Sequence, residues 1–484
     1  MAEDNVAPGD HSSHEYRTRR ISHWDSIARK MKSWTSKGEY YHRRISRVYR
    51  FLVPPGLKVI EIGCGQGDLL ASLQPSQGIG LDFSGEMISR AREKHPEIIF
   101  IEGDAHDMPV DGKFDVIILS DVINDFWDVQ HVFTQMEKLS TQDTRIILNV
   151  FSRMWELPLL VPQALGLSTR MLPQNWLTPE DVSNMLELTG FETVRCWQEI
   201  LWPIDTPFLA DLMNRVLVKF WPFRYLALTN FIIARKKPGE TKTGKDPVVS
   251  VVVPARNEEG NIEEIFQRVP EMGAGTELIF VEGNSKDDTY STILNAMRRH
   301  PEKRSLLFRQ TGKGKGDAVR MGFQNASGDI LMILDADMTV PPEDLTRFYE
   351  AIRSGKGEFI NGVRLVYPME KQAMRYLNLL GNKFFSLAFS CLLGQPIKDT
   401  LCGTKVLNRG NYQRIADNRA YFGDFDPFGD FDLLFGAAKL NLKIVEVPIR
   451  YRERKYGETN IDRWRHGLLL LKMTLFALKR IKLV

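Results

Sequence analysis

Two aspartates separated by a single alanine follow an apolar run in ILMILDADMTVPP, residues 330–342. The apolar run predicts a buried strand, so Asp335 and Asp337 would stand together where that strand ends. Their mutual repulsion makes it costly to ionise both, unless a divalent cation lies between them. One interpretation of the pair is therefore a binding site for a divalent cation such as Mg²⁺ or Mn²⁺. Most isolated Asp-x-Asp pairs, however, are turn or cap residues, so the surrounding sequence decides between the two interpretations.

The sequence on both sides of the pair carries further motifs. VSVVVPARNEEGNI and GKGKGDAVRMGFQNASGD precede it, and INGVRLV, DTLCGTKVLNRGNY and KIVEVPIRYRERKYGETNI follow it. In order and spacing, residues 248–463 resemble the family 2 glycosyltransferases of GT-A fold, most closely the polyprenyl- or dolichyl-phosphate sugar synthases. The resemblance implies a nucleotide-sugar donor, and it places the donor-binding residues at Pro254, Ala255, Asn257, Glu258, Glu282, Lys315 and Asp335.

The resemblance also implies which groups act on the substrates. A metal ion would bridge Asp337 to the donor diphosphate, with Asp335 at the ribose or the metal, and would neutralise charge on the departing nucleotide. A lipid phosphate is already ionised at neutral pH, so it could attack the anomeric carbon directly and invert it in one displacement. Arg364 and Arg375 match positions that the family uses at the acceptor phosphate, and Arg454 matches the arginine of a closing loop. With Asp337, these arginines are the catalytic candidates.

The chain departs from the family pattern at three places. The strand before VEGNSKDDT ends with Glu282 and Gly283 where relatives usually carry two aspartates. Thr339 stands where relatives often have Gln or His, and it is kept as a third candidate metal ligand beside Asp335 and Asp337. Thr459–Asn460 replaces a usual Ser-Lys. These departures predict a subfamily with its own donor or acceptor.

A glycine-rich motif, KVIEIGCGQGDLL, lies in the first half of the chain. Its glycines permit a sharp turn and let a ligand approach the bare backbone at a helix N-terminus. Asp82 ends the next predicted strand, 15 residues beyond Gly67, a placement suited to binding ribose hydroxyls, and Asp104 ends the third. Three ligand-edge positions on three successive strands are therefore predicted.

This pattern, over residues 40–237, resembles the class I methyltransferases that use S-adenosylmethionine (SAM). The resemblance implies a SAM site formed by Glu61, Gly63, Gly65, Gly67, Asp82, Asp104 and Ala105. A dinucleotide-binding Rossmann domain is the alternative. It is disfavoured because the motif is GxGxG and not GxGxxG, and because no partner oxidoreductase motif is present.

The methyl acceptor is less defined by the sequence. ILSDVINDFWD lacks the Asn/Asp-Pro-Pro-Tyr motif of amino-methylating relatives, which favours an oxygen or carbon acceptor. Asp121, Asp125 and His131 are candidate bases, with ordinary loop or cap roles as the alternative for each. The apolar segment 201–228 could cover a lipid-like acceptor or pack on a partner domain.

These motifs must be positioned by the surrounding elements. In both halves, short apolar runs alternate with segments of helical period, which predicts the α/β class with parallel sheets covered by helices. We therefore expect two domains, an N-terminal Rossmann-like class I methyltransferase and a C-terminal GT-A glycosyltransferase. The expected bounds are a flexible tail over 1–20, the methyltransferase over 21–237, a linker over 238–247, and the glycosyltransferase with a C-terminal amphipathic helix over 248–484.

Composition narrows the setting of the protein. With 64 basic and 61 acidic residues, the net charge of +3 does not indicate nucleic-acid binding. The four cysteines have no zinc-binding or disulfide spacing, which favours a reducing cytosol. No apolar stretch is long enough to predict a spanning helix, but residues 374–394 and 463–484 suit helices that lie on a membrane surface. Packing on a protein partner or in a homodimer is the alternative. We expect a cytoplasmic protein, peripheral on the cytoplasmic face.

Together these features predict a bifunctional enzyme. One half would be a metal-dependent hexosyltransferase that loads a polyprenyl phosphate, and the other a SAM-dependent methyltransferase of the same glycan or glycolipid pathway. The alternative is a glycosyltransferase that acts on a growing glycan or a soluble acceptor, with the methyltransferase domain as an inactive docking module.

Overall fold

The chain forms two compact units. The computed structural model describes residues 8–30, 39–164, 171–239, 245–364, 366, 376–419, 429–452, 454, 456 and 463–482. The N-terminal unit comprises Met1–Lys237 with Lys482–Val484, and the C-terminal unit comprises Pro238–Ile481. Half of the expected linker, residues 240–244, lies outside the described residues.

The N-terminal unit is built around a seven-stranded sheet in the order β3-β2-β1-β4-β5-β7-β6. Strands β1 to β5 pair in parallel, and β7 runs antiparallel to both of its neighbours. The strands are β1 Lys58–Ile62, β2 Gln77–Asp82, β3 Ile99–Glu102, β4 Val116–Ser120, β5 Arg145–Phe151, β6 Phe191–Glu199 and β7 Thr229–Lys236. The helices are α1 Pro8–Lys30, α2 Glu39–Leu52, α3 Asp68–Ser72, α4 Gly85–Lys94, α5 Val129–Leu139, α6 Glu156–Ala164, α7 Pro179–Leu188 and α8 Leu209–Asp211.

Helices cover both faces of this sheet. Along β1, Ile60 and Ile62 belong to one buried apolar cluster, whereas Val59, whose side chain points to the opposite face, belongs to a second. Successive side chains of a strand point to opposite faces, so a strand with buried apolar residues on both faces must be covered on both. The chain order reverses between β1 and β4, which opens a crevice at the carboxyl ends of these strands.

The C-terminal unit has a second seven-stranded sheet, in the order β10-β9-β8-β11-β13-β12-β14. Strands β8 to β11 pair in parallel, β13 is antiparallel to β11 and β12, and β14 is parallel to β12. The strands are β8 Val249–Ala255, β9 Thr276–Glu282, β10 Arg304–Arg309, β11 Ile330–Ile333, β12 Phe359–Val363, β13 Lys405–Asn408 and β14 Ile444–Pro448. The helices are α9 Ile262–Arg268, α10 Thr289–Arg299, α11 Lys315–Asn325, α12 Leu345–Arg353, α13 Tyr376–Leu393, α14 Arg409–Asp417, α15 Asp430–Lys439 and α16 Arg463–Ala477.

The predicted α/β class with two domains is confirmed, but the expected parallel sheets are mixed. Strands β7 and β13 each run against both of their neighbours. An apolar run shows that a strand is buried on both faces and carries no information on its direction. Direction depends on the connections, which the pattern of apolar residues does not reveal.

The structure also differs from the flexible tail expected over residues 1–20, because α1 is helical from Pro8. Arg20 of this helix is only 4% exposed. Its guanidinium donates to the main-chain oxygen of Asp125 at 3.0 Å and pairs with the Asp125 carboxylate at 3.3 Å. The polar composition of the segment suggested a tail. The contact that holds the segment in place is with Asp125, far along the chain, and composition does not reveal it.

Two apolar helices were expected at a membrane surface. Helix α16 buries Leu470 and Met473 and exposes Leu468, Leu471 and Leu475, so it is apolar on both sides of its described part. Among the described residues, no helix combines the length and apolar character needed to cross a bilayer. The surface role of α13 and α16 stays a prediction.

Close packing of α11 on β8 generates a test of the C-terminal unit. A methyl group added at Gly322 of α11 would lie 2.3 Å from Cγ1 of Val252. We expect Gly322→Ala to lower the free energy of unfolding by about 1–3 kcal/mol, because the overlap outweighs the roughly 1 kcal/mol that alanine gains in a helix. Urea denaturation followed by circular dichroism measures the shift.

Gly410→Ala in α14 is the matched control, because a methyl group there meets no atom within 4 Å. It should leave the unfolding transition unchanged or raise its midpoint. Equal midpoints for Gly322→Ala and the unsubstituted chain would contradict the packing described.

Candidate active sites

The loop between β1 and α3 leaves room for a ligand against its backbone. Gly63 and Gly67 both have left-handed backbones, with φ of 74° and 76°. A Cβ atom at Gly63 would lie 2.3 Å from Val122, and one at Gly67 would lie 2.4 Å from Phe100. The loop is therefore pressed against its neighbours at both ends. Gly65 between them faces open space, since a Cβ there would meet nothing within 4 Å.

Two buried carboxylates hold this loop. Glu61 accepts a hydrogen bond from the amide of Leu70 at 3.1 Å, and burial raises its pKa to about 8. Asp82 accepts from the amides of Gly65 and Ser84, both at 2.9 Å. Burial raises the pKa of Asp82 to about 6, and the two amides oppose that rise. Glu61 thus fixes the start of α3 and Asp82 fixes the loop before it, at the edge of the sheet where the family resemblance placed both residues as SAM ligands.

Asp104 lies where β3 gives way to the next loop, in contact with α1. Its carboxylate accepts from the amide of His106 at 2.9 Å and pairs with Arg17 at 3.1 Å. Burial alone would raise the pKa of Asp104, but its hydrogen bonds to His106 and the charge of Arg17 keep it below the usual value. Ala105 is buried in the core beneath. The structure therefore adds Arg17, which sequence reasoning did not consider, to this edge.

Asp121 is the most distinctive of the three candidate bases. It follows β4 with a left-handed backbone, φ 56°, which is uncommon for a residue with a side chain. Its Oδ1 accepts from the Tyr41 hydroxyl at 2.8 Å and from the Asn149 side-chain amide at 2.5 Å. Burial raises its pKa to about 7, although both donors oppose that rise. The carboxyl group can therefore gain or lose a proton near neutral pH.

The other two candidate bases have local partners. Asp125 pairs with Arg20, and burial raises its pKa despite that arginine. His131 contacts the main-chain oxygen of His106 through Nε2 at 2.9 Å. Asp125 also lies near the glycine loop, because its charge raises the pKa of Asp82, but its carboxylate is paired with Arg20. Asp121 adjoins Val122, which packs on Gly63, and its two side-chain donors are neutral. The structure thus singles out Asp121 among the three.

In the C-terminal unit, the two aspartates follow β11 and each carboxylate has a cationic neighbour. Asp335 pairs with Lys315, the first residue of α11, at 2.5 Å. Burial alone would raise the pKa of Asp335, but Lys315, with Lys405 and Arg364, holds it below the usual value. Asp335 is therefore ionised, and part of its side chain is still exposed.

Asp337 lies in a strained turn. Its Oδ1 accepts from the amide and the hydroxyl of Thr339, at 3.1 and 2.8 Å. Met338 between them has a left-handed backbone with φ 59° and is 5% exposed. Such a backbone costs on the order of 1–3 kcal/mol, so the surrounding packing must enforce it. The turn fixes Oδ1 against Thr339 and leaves Oδ2 for another cation.

That cation is Arg454. Its Nη2 donates to Asp337 at 2.7 Å, and its Nη1 contacts Glu258 at 3.4 Å. The segment after β14 carries it there, because the amide of Arg452 donates to the main-chain oxygen of Thr339 at 3.0 Å. Burial raises the pKa of Glu258 to about 7, and Arg454 opposes that rise. Glu258, expected at the nucleotide, thus shares its arginine with Asp337.

The turn after β8 is tied to the loop after β9. Asn257 has a left-handed backbone with φ 57°; its amide donates to the Ser285 hydroxyl at 3.0 Å, and its side chain accepts from Lys286 at 2.8 Å. Glu282 is buried and accepts from the amide of Ser285 at 2.5 Å. Pro254 and Ala255 end β8 at this same edge. The candidate donor-binding residues are therefore collected at neighbouring strand ends.

Arg364 has a different setting from the acceptor-phosphate position that the sequence suggested. Its guanidinium donates to both carboxylate oxygens of Asp399, at 2.7 and 2.8 Å, and Asp399 is 1% exposed. Burial would lower the pKa of Arg364, but Asp399 keeps it above its usual value. A bidentate buried pair of this kind braces the end of β12. Sequence reasoning missed Asp399, whose position in DTLCGTK was the available signal. Arg375, the remaining catalytic candidate, lies outside the described residues.

The carboxylates fit a divalent ion that is completed by other ligands. Asp335, Asp337 and Glu258 supply the hard oxygen ligands that Mg²⁺ and Mn²⁺ prefer, and Lys315 and Arg454 offset part of their charge. Within the described part of the chain, no three His, Cys, Asp or Glu side chains converge tightly enough to hold an ion alone. Mg²⁺ typically uses one or two carboxylates together with substrate phosphates and water, which this arrangement allows.

The Arg364–Asp399 pair generates a stability test. Asp399→Asn would leave the buried guanidinium without its counter-charge, and we expect the free energy of unfolding to fall by about 3–5 kcal/mol. Urea denaturation measures the change. Asp417→Asn is the control, since Asp417 is exposed and bonded to Gln413 of its own helix. A shift no larger than that of the control would show that the pair does not brace the fold.

Two family models match the chain, one in each unit. The model described as a methyltransferase domain matches residues 54–197, and the model for glycosyl transferase family 2 matches residues 250–415. The matched segments contain the glycine loop with Asp82 and Asp104, and the turn after β8 with the two aspartates after β11. The predicted relationship of each half to its family is therefore confirmed.

Individual relatives agree with these matches. A dolichol-phosphate mannosyltransferase of Pyrococcus furiosus is 29% identical over 218 residues, which are 44% of this chain and 59% of the relative. An undecaprenyl-phosphate 4-deoxy-4-formamido-L-arabinose transferase of Edwardsiella ictaluri is 31% identical over 230 residues, 46% of this chain and 64% of the relative. The chain thus spans less than two thirds of either relative.

Among solved structures, a SAM-dependent methyltransferase of Thermotoga maritima shares 16% identity and a TM-score of 0.33; the alignment covers 46% of this chain and 99% of that one. The family models carry the assignment, since each matches within one of the two compact units. The chain therefore carries a methyltransferase domain in its N-terminal unit and a family 2 glycosyltransferase domain in its C-terminal unit.

Proposed function

We propose that the C-terminal unit transfers a sugar from a nucleotide-sugar donor to the phosphate of a polyprenyl or dolichyl lipid, with a divalent metal ion and with inversion at the anomeric carbon. The observation that carries this proposal is the cluster of Asp335, Asp337 and Glu258 with Lys315 and Arg454 at the strand ends. The lipid acceptor is supported by the names of the relatives, two of which act on dolichol phosphate or undecaprenyl phosphate.

The described residues divide the work between donor and acceptor. Asp337 and Asp335 would hold the metal, with Thr339 beside them, and the ion would stabilise negative charge on the leaving diphosphate. Thr339 keeps Oδ1 of Asp337 in place, so the carboxylate does not need to reorganise when the donor arrives. Asn257 and Glu282 lie at the ends of β8 and β9, where a nucleoside would contact the strand edge.

Arg454 has two competing partners in this proposal. It pairs with Asp337 and Glu258 in the structure, and a phosphate group is an equally good bidentate partner for a guanidinium. When the metal and the donor diphosphate engage the carboxylates, Arg454 can contact phosphate oxygens instead. It would then offset the repulsion between the acceptor phosphate and the leaving diphosphate. Arg364 is less suited to this role, because its guanidinium is paired with Asp399.

For the N-terminal unit we propose methyl transfer from SAM to an oxygen or carbon acceptor. The cofactor would lie against Gly65, between the clamped loop and Asp82. Asp121 is the proposed base, because a group with a pKa of about 7 can accept a proton at neutral pH and Tyr41 and Asn149 orient it. We place both reactions in one glycan or glycolipid pathway, on the cytoplasmic face of a membrane.

The glycosyl transfer is tested with the purified chain, a panel of radiolabelled nucleotide sugars, polyprenyl phosphate, and Mn²⁺ or Mg²⁺, with the product extracted into organic solvent. We expect Asp337→Asn to lower the transfer rate by about 100-fold or more, because the metal loses a ligand worth several kcal/mol in the transition state. Asp417→Asn on α14 is the matched control and should retain full activity.

Full transfer by Asp337→Asn would refute the proposed metal site. Label that enters water-soluble glycan and never the organic phase would favour the alternative, a glycosyltransferase that uses a soluble or growing glycan acceptor. Removal of the metal by a chelator should lower the transfer rate as Asp337→Asn does.

Cofactor binding is tested by isothermal titration calorimetry with SAM. In Asp82→Asn the side chain keeps one acceptor oxygen but loses the second oxygen and the negative charge. We therefore expect the affinity for SAM to fall by about tenfold or more. Asp111→Asn, at an exposed position, is the control. If the unsubstituted chain binds neither SAM nor S-adenosylhomocysteine, the N-terminal unit is an inactive docking module and not a methyltransferase.

A further inference from the structure

The N-terminal unit exposes a concentrated set of apolar side chains. They come from two segments, residues 154–161 and 204–226, which hold more than half of the large apolar side chains exposed in the described chain. Phe208 is 92% exposed, Trp221 74% and Leu157 72%. Single exposed apolar residues are ordinary on a protein surface, but a dense set of them marks an interaction site. We call this set the aromatic surface.

The two segments form one surface. The indole N–H of Trp155 donates to the main-chain oxygen of Leu226 at 2.9 Å, which joins the start of α6 to the end of the second segment. Beneath the exposed side chains, Val218 and Ala227 are buried against Leu201. The apolar residues that face outward are therefore displayed by a packed layer and do not belong to a loose loop.

Buried polar contacts fix that layer further. The side chain of Asn214 accepts from the amides of Leu201 and Trp202, both at 2.7 Å, and donates to the Trp202 carbonyl oxygen. Phe208 itself has a left-handed backbone, φ 60°, which is strained for an aromatic residue. The fold thus stabilises a conformation that holds a phenyl ring in the solvent, which no gain in folding stability explains.

The charges around the aromatic surface point to its partner. Residues 212–228 contain Arg215, Lys219 and Arg224 and no aspartate or glutamate. Lys219 is buried against Glu199 and Arg215 pairs with Asp211, so Arg224 is the cation that this run presents to solvent without an acidic partner among the described contacts. Arg224 is exposed and lies over the ring of Tyr225, 5.0 Å from its centre. The acids that precede this run, Asp205 and Asp211, are each paired with an arginine. Aromatic side chains interleaved with cations match the boundary between lipid headgroups and acyl chains, especially where the lipids are anionic.

We propose that the aromatic surface docks the N-terminal unit on an anionic lipid bilayer, with Phe208 and Trp221 entering the boundary between headgroups and acyl chains. Arg224 then contacts the lipid phosphates. This docking does not depend on the sugar transfer proposed for the other unit. It requires that the surroundings of these side chains become less polar when vesicles are added, and that this change depends on the charge of the lipids.

The test uses the full chain with the exposed Cys391 changed to serine and one new cysteine that carries an environment-sensitive nitrobenzoxadiazole dye. Phe208→Cys reports on the aromatic surface, and Leu188→Cys on α7, itself 64% exposed in the same unit, is the matched control. The vesicles contain phosphatidylcholine with a quarter phosphatidylglycerol, and their acyl chains are brominated in a second preparation. We expect a several-fold rise in dye emission at position 208, quenched by the brominated lipid, and little change at position 188.

Helix α16 could bind the whole chain to vesicles, so vesicle binding alone does not test the proposal. The difference in dye emission between positions 208 and 188 decides the outcome. Vesicles of phosphatidylcholine only should give a weaker response at position 208. Equal responses at the two positions would overturn the proposal. A dye at position 208 that is already shielded before vesicles are added would also overturn it, because the surface would then be covered by protein, either the other unit or a second copy.

Phe208→Ser with Trp221→Ser gives an independent readout in vesicle sedimentation. The double variant should lose affinity for anionic vesicles relative to Leu188→Ser, while thermal unfolding followed by circular dichroism shows whether it is still folded. An unchanged affinity in a folded double variant would contradict docking through this surface.

Discussion

The C-terminal unit depends on the neutralisation of several carboxylates at one edge of its sheet. Asp335, Asp337 and Glu258 meet there, and Lys315 and Arg454 offset much of their charge. Charged groups that leave water need partners at close range, because the loss of hydration otherwise outweighs what the fold provides. In this structure the partners are side chains of the chain itself. They hold the acidic cluster together, and they are also groups that a metal ion and a diphosphate can replace.

The N-terminal unit also has acids at the carboxyl ends of parallel strands, but it stabilises them in a different way. Its acids, Glu61 and Asp82, are stabilised by main-chain amides, and burial raises the pKa of both. Such sites suit a ligand that offers hydroxyl groups or a positive charge, as SAM does, and do not suit one that offers phosphates. The two units therefore share a topology at the strand ends but neutralise their carboxylates differently, which agrees with the cationic cofactor proposed for one unit and the anionic donor proposed for the other.

Much of this could be predicted from local patterns, because strand ends, glycine turns and their order are properties of neighbouring residues. The positions of Asp82, Asp337 and the strands that carry them follow from such patterns. The pairing of Arg364 with Asp399 could not be predicted in this way, because the two residues meet only after the sheet is formed. The helical structure of α1 could not be predicted for the same reason, since Arg20 of this helix pairs with Asp125 in a distant part of the chain. Long-range ion pairs decide whether an arginine faces a substrate or braces the fold, and spacing along the chain does not reveal them.

The central claim is that the carboxylate cluster binds a metal ion together with a nucleotide. The most direct measurement is a titration of the purified chain with Mn²⁺ in the presence of UDP or GDP, followed by the loss of the electron paramagnetic resonance signal of free Mn²⁺. The account predicts uptake of one ion per chain, strengthened by one of the nucleotides and abolished by Asp335→Asn. Uptake that Asp335→Asn leaves unchanged, or no uptake with either nucleotide, would contradict it.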